Sequence, residues 1–170
     1  IKSVDGVEQA SGAGGPLKVD QNNLKKMRQA MFAVVNDRAG TANKSRIIVE
    51  NMRMAGKTGT SQVRNISAAE RRTGVVRNED LPWERRDHAL FVDFAPADNP
   101  KYAVAVIVEH GGGGSTVAAP IARDITLQAL YDGPPPLEAY PSKDRGRIRG
   151  QQKRLAKMRP MVKTQDADKT

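Results

Sequence analysis

The stretch Ala89-Leu-Phe-Val-Asp-Phe94, followed by Ala95-Pro-Ala-Asp-Asn-Pro100 and Tyr102-Ala-Val-Ala-Val-Ile-Val108, decides the fold. Its two apolar runs read as strands, and the Pro- and Asn-rich segment between them is strong turn chemistry. Strands joined by so short a turn must be antiparallel. The second run is apolar throughout, which predicts a strand covered on both faces, with the small Ala103 and Ala105 admitting a close neighbour. Upstream, Arg46 to Val49 and Met52 to Val63 are also strand-like. Before them Leu24, Met27, Met31 and Val34 recur at helical spacing and predict a helix from about Asp20 to Asn36. Asp20 suits its N-cap, and Gly40 is expected to supply a left-handed exit. Downstream of Gly111–Gly114 a second helix is expected to start near Ser115 or Thr116, with Pro120 in its first turn. Its apolar side reads Ala118, Ile121, Ala122, Ile125 and Ala129. Helix, antiparallel strands, helix: the order predicts an α+β fold in which the N- and C-terminal helices pack on an antiparallel sheet.

The 170 residues suit one domain. The absence of cysteine excludes disulfides, zinc–thiolate sites and thiol nucleophiles. Two histidines, His88 and His110, leave little room for a histidine metal cluster, and neither a metal nor an organic cofactor is expected. No apolar run approaches a membrane span. Of the net charge of +9, residues 133–170 hold +6, from ten basic and four acidic side chains. Residues 1–18, rich in Gly, Ala and Ser, read as an irregular lead-in, 19–132 as the folded part, and 133–170 as a basic, disordered tail after Gly133-Pro-Pro-Pro136. No aromatic residue follows Tyr140 to stack on a base, so no nucleic acid is expected as a partner. The polar stretch from Arg64 to Asp87, with six arginines and Trp83, is either functional or mobile.

Lys57-Thr58-Gly59-Thr60 is the segment whose residue types suggest chemistry. Strand alternation places Lys57 and Gly59 on one face and Thr58 and Thr60 on the other. Glycine permits close approach of a backbone or ligand, the hydroxyls and lysine suit an anionic substrate, and a backbone N–H suits a developing oxyanion. An ordinary polar strand edge is the alternative.

Three blocks in order, Met54 to Val63, Arg86 to Pro96 and Tyr102 to Gly114, resemble the end of a penicillin-binding protein transpeptidase domain, in particular the elongation-type class B group, penicillin-binding protein 2. Met31 to Ala42, ending Gly40-Thr-Ala42, fits the helix and turn that precede the Lys-Thr-Gly strand there. The resemblance covers about Pro16 to Tyr131. It implies that Lys57, Thr58 and Gly59 form the third of three family motifs, on the strand lining the cleft. It also implies that Thr60 offers its N–H to the oxyanion hole, that Thr58 and Thr60 hold the carboxylate of a stem peptide or β-lactam, and that Gln62 sits on the rim. Neither Ser-x-x-Lys nor Ser-x-Asn occurs in the chain. Thr41-Ala-Asn-Lys44 lacks the serine, and Ser142-Lys-Asp144 lies downstream of the lysine motif. The expectation is therefore a C-terminal portion of a peptidoglycan D,D-transpeptidase, inactive by itself. Its partners are the upstream part of the same protein carrying the missing motifs, stem peptides, β-lactams and other cell-elongation membrane proteins. The place implied is the periplasmic face of the bacterial inner membrane. A non-catalytic module binding a partner or nucleic acid through the basic tail, and a serine β-lactamase relative, are the alternatives.

Asp87 beside His88 has the form of an acid–base pair, but a structural histidine at a strand start is the expected role. His110 edges either a ligand site or solvent. Gly111–Gly114 lacks the spacing of a nucleotide loop and reads as a connection packed close to the cleft. Trp83 either anchors the 64–87 loop or meets a partner.

Overall fold

The computed structural model describes residues 18–158 and, ahead of them, a short antiparallel strand pair, β1 (Ser3–Val4) and β2 (Val7–Glu8). The rest of the expected lead-in before Lys18 and residues 159–170 lie outside the described residues.

Helix α1 (Gln21–Asn36) starts where its cap predicts, with Asp20 Oδ1 accepting the Asn23 N–H at 2.9 Å. Its end differs from expectation. The chain leaves through Asp37 in an extended conformation, and Gly40 is not left-handed. Gly40 is required for space: a Cβ there would lie 2.3 Å from the Val34 carbonyl oxygen. Arg46 to Val49 is not a strand either. It runs between two single 3₁₀ turns, burying Ile47 while the Ile48 N–H donates to the Ala139 carbonyl at 2.9 Å. Its apolar residues are spent on the C-terminal segment rather than on a sheet partner.

Strands β3 (Ala55–Ser61), β4 (His88–Ala95) and β5 (Tyr102–Val108) form an antiparallel meander in the order β3-β4-β5. Thr58 pairs with Phe91 and Phe91 with Val106, so these three share a face. Helix α3 (Ala119–Tyr131), entered through a π turn at Gly114–Ala118, covers that face, and its Thr126 hydroxyl donates to Asp93 Oδ1 at 2.9 Å. Phe91, Val106, Ala118, Ala122 and Leu127 fill the layer between. Burying Phe91 alone is worth about 2–3 kcal/mol. Eight of the sixteen buried apolar residues are alanines, which brings helix and sheet backbones close.

β5 departs from the expectation of two covered faces. Ala103, Ala105 and Ile107 are exposed, Ile107 to 67%, and among the described residues β5 is an edge strand. Only the face shared with Phe91 meets α3, and the alternate residues inevitably point away from it. The expected apolar side of α3 is rotated as well. Ala119, Arg123, Thr126 and Leu127 are buried with Ala118 and Ala122, whereas Ile121 and Ile125 are exposed and line a cleft.

The largest correction concerns residues 133–158, expected as a disordered tail. They carry 3₁₀ turns at Leu137–Ala139 and Ser142–Asp144, then helix α4 (Arg145–Met158). Fully buried Arg123 pins them: Nη1 lies 2.6 Å from Asp144 Oδ2, Nη2 lies 2.8 Å from Asp124 Oδ1, and the guanidinium sits 5.2 Å from the Tyr140 ring centroid. Ala139, Tyr140 and Ile148 are buried, and Gln152 Nε2 donates to the Pro135 carbonyl at 2.7 Å. The Gly-Pro-Pro-Pro run is a bend, not an end. A charge count by itself cannot reveal that a few apolar residues and one buried arginine dock a basic segment.

Candidate active site

Strand β3 carries all four residues of the Lys57–Thr60 segment, and Gln62 lies just beyond its end, exposed. Among the described residues β3 pairs only with β4, so its other edge has no strand partner and is open to an extended ligand. Lys57 is exposed, and its Nζ donates to the Thr58 carbonyl at 2.7 Å. Register sets Lys57 opposite Val92 and Thr58 opposite Phe91, so the ammonium and the two threonine hydroxyls leave opposite faces. The Thr58 hydroxyl is 3.1 Å from that of Thr41, in the turn after α1. That contact fixes the Thr58 rotamer and makes Thr41 a neighbour of the site, which residue-by-residue reading does not show. The Gly40-Thr-Ala42 match is the one sequence signal that pointed there.

The close approach expected at Gly59 is made by the protein itself. A Cβ on Gly114 would lie 2.4 Å from the Gly59 carbonyl oxygen and 2.3 Å from that of Leu90. The last glycine of the run therefore presses on the back of β3 and β4, and any side chain would push the strand out of place. Gly56 makes similar room for the Phe91 ring, whose Cζ would lie 2.5 Å from a Cβ. β3 is thus seated by small residues on both sides of the Lys57–Thr60 segment.

The far end of β3 is held by the 62–87 loop. Ser67 caps the short helix α2 (Ala68–Thr73), and Arg64 forms a two-point ion pair with Glu70, Nη1 to Oε2 at 2.8 Å. The Arg64 bond and the Val76 N–H hold the Glu70 carboxyl down at about 2. Asp87 accepts from the Val63 N–H and Asn78 Nδ2, so it is not an acid–base partner for His88. His88 Nδ1 instead accepts the His110 N–H at 2.9 Å, and His110 Nδ1 lies 2.9 Å from the Arg86 carbonyl. The Trp83 ring packs against His110, centroids 4.4 Å apart and planes tilted by 58°, with much of its surface open. Both histidines and the tryptophan thus tie the loop to the turn that leads into Gly114.

No helix among the described residues is long and apolar enough to cross a membrane, and they contain no group of three or more potential metal-ligating side chains. Residues 1–127 match the penicillin binding protein transpeptidase domain family. The peptidoglycan D,D-transpeptidase MrdA of Haemophilus influenzae is 41% identical over 113 residues, which are 66% of this chain and 17% of that protein. The Acinetobacter baumannii MrdA is 42% identical over 100 residues, 56% of this chain and 14% of that one. The chain therefore spans less than a fifth of the length of these relatives. Among solved structures, Pseudomonas aeruginosa PBP2 in complex with WCK 5153 superposes with a TM-score of 0.50 at 35% identity, covering 76% of this chain and 24% of that one. Helicobacter pylori PBP2, in its complex with MreC, gives a TM-score of 0.50 at 31% identity over 66% of this chain and 18% of that one. A match over three quarters of the residues, joined to an α+β arrangement of the expected kind, settles the family: the chain belongs to the penicillin-binding protein transpeptidases.

Proposed function

We propose that this chain supplies the Lys-Thr-Gly side of the acyl-transfer cleft of a peptidoglycan D,D-transpeptidase. The observation that carries the reading is β3: among the described residues an edge strand with no strand partner on its outer side, bearing Lys57, Thr58, Gly59 and Thr60 within a family match. A stem peptide lying along that edge meets two hydroxyls for its terminal carboxylate, Thr58 and Thr60, with Gln62 at the rim. The Thr60 N–H serves the oxyanion hole, where a donor fixed in advance is worth most as negative charge develops. Lys57 supplies a positive field toward the nucleophile.

The serine and its Ser-x-x-Lys lysine come from another part of the same protein, as does the Ser-x-Asn motif. The serine Oγ attacks the penultimate D-Ala carbonyl, loses its proton to a base, and forms an ester as D-Ala leaves as the amine. An acceptor amine then attacks the ester, forming the cross-linking amide and releasing the serine. A β-lactam acylates the same serine with ring opening. Elongation of the cell wall, at the periplasmic face of the inner membrane and beside other membrane proteins, is the setting we assign. The MreC complex of the Helicobacter pylori relative supports a partner of that kind.

Labelling with a fluorescent penicillin tests this. The protein that contains this chain and its upstream motifs acquires one label on the upstream serine, and Thr58→Val or Thr60→Val slows acylation at least tenfold. Labelling at wild-type rate in both variants would remove β3 from the cleft.

A further inference from the structure

Against the first half of α3 lies a cavity of about 330 Å³ whose chemistry the transpeptidase reading leaves unused. Its walls come from three separate segments: Lys44 and Ser45 after the Thr41 turn, Ser115 and Thr116 at the start of the π turn, and Lys143 and Arg147 from the docked C-terminal segment. Two of these segments continue directly from residues that touch β3. Thr41, whose hydroxyl meets Thr58 at 3.1 Å, is three residues before Lys44, and Ser115 follows Gly114, which presses on Gly59.

The charge in this cavity is not self-cancelling. Asp124 and Asp144 also line it, but both are engaged by the buried Arg123. Arg147 Nη2 lies 3.6 Å from Asp124 Oδ2, so two arginines balance the two carboxylates. Lys44 and Lys143 have no acidic partner among the described ion pairs and are exposed at the mouth. The remainder is therefore +2, with the Ser115 hydroxyl beside it, while the Thr116 hydroxyl donates to the Gly113 carbonyl at 3.1 Å. Lys143 and Arg147 also lie beyond the 127 residues that carry the family match.

We infer that Lys44, Lys143 and Ser115 form an anion subsite, which takes a carboxylate of a peptidoglycan peptide outside the acylation site. This rests on the transpeptidase reading for the identity of the anion. Two lysines and a hydroxyl match a peptide carboxylate, and the subsite then holds a second strand of the polymer. Its outer wall stays in place because Arg123 locks Asp144, one residue from Lys143.

The test uses the protein containing both this chain and its upstream motifs, first acylated with a penicillin so that the cleft is blocked. A soluble disaccharide-peptide with free carboxylates is then titrated, alongside the same compound with its carboxylates amidated. The wild type is expected to bind the free acid, with affinity falling as salt rises, and the amidated compound at least tenfold more weakly. Lys44→Gln with Lys143→Gln is expected to weaken the free acid about tenfold, the loss expected from two partly exposed ionic contacts, with the penicillin acylation rate unchanged. If the double variant fails to fold, each single variant is expected to lose about threefold. Equal affinity for the wild type and the glutamine variants, or equally tight binding of the amidated compound, overturns the subsite. Failure of the wild type to take the penicillin label sinks the transpeptidase reading instead, and the titration still reads the cavity.

Discussion

Replacing Asp93 by Asn should stabilise the protein at neutral pH and have no such effect in acid. Asp93 sits on β4 at 3% exposure; Oδ1 accepts from the Thr126 hydroxyl, and Oδ2 has no partner. Burial is the main cause that lifts its carboxyl from 3.8 to about 6, and the Thr126 bond pulls it partly back. A carboxyl raised on folding binds its proton more tightly in the native than in the unfolded chain. Stability contributed by this group is therefore full below the unfolded value and falls as pH rises through about 4 to 6, then levels off. Two pH units correspond to about 3 kcal/mol of cost at pH 7. Asparagine removes the charge and keeps an acceptor for Thr126, but its NH₂ takes the place of the unpartnered Oδ2 and costs about 1–2 kcal/mol. The net expectation is a gain of about 1–2 kcal/mol at pH 7.5, or a few degrees in Tm, and a loss of similar size at pH 4. Urea unfolding of both proteins from pH 4 to 8 measures this, and the difference between them cancels every other titrating group. A gap that stays constant across that range would refute the argument, because no proton would then be linked to Asp93. Thr126→Val supplies the converse: with the hydroxyl gone, it should destabilise more at pH 7.5 than at pH 4.

Three further outcomes are expected. Gly114→Ala places a methyl 2.3–2.4 Å from two carbonyl oxygens, so it should cost at least about 2 kcal/mol and slow penicillin acylation by displacing β3; unchanged melting and labelling would mean that the contact is not tight. Asp144→Ala removes one partner of the fully buried Arg123, which should cost about 3 kcal/mol and open the 133–144 segment to protease, with cleavage sites read by mass spectrometry. Thr58→Val loses only a bond between partly exposed hydroxyls, so stability should change by less than about 1 kcal/mol while acylation falls at least tenfold, a split that a merely structural threonine would not produce.

The elements legible beforehand were those with local causes. The N-cap of α1 is a side chain bonding three residues ahead, and the β4–β5 turn is set by its own prolines and asparagine, so Asp20 and residues 95–100 could be read without a partner. The role of Gly40 is not legible in sequence, because its spacing after a helix is the same whether the backbone turns left-handed or merely needs room beside Val34. The placement of Ile121 and Ile125 is not legible either, because an apolar residue on a helix says that something apolar is near, without saying whether it is the sheet or a second helix. Residues 133–158 look like a free basic tail in sequence because their docking depends on Arg123, a cation that composition counts as solvent-facing.

For the candidate site the division is sharper. Sequence by itself determined the family, the order of helix and strands, and the strand that carries Lys57, Thr58, Gly59 and Thr60, because these depend on residue type at fixed spacing along one chain. Tertiary structure decided that Thr41 meets Thr58, that Gly114 seats Gly59, that Asp93 is buried with one oxygen bare, and that Lys143 and Lys44 line one cavity. Each of those joins residues between 17 and 99 positions apart, or follows from such a joining. Such proximities are set by packing volume and the burial of charge, which no local pattern encodes.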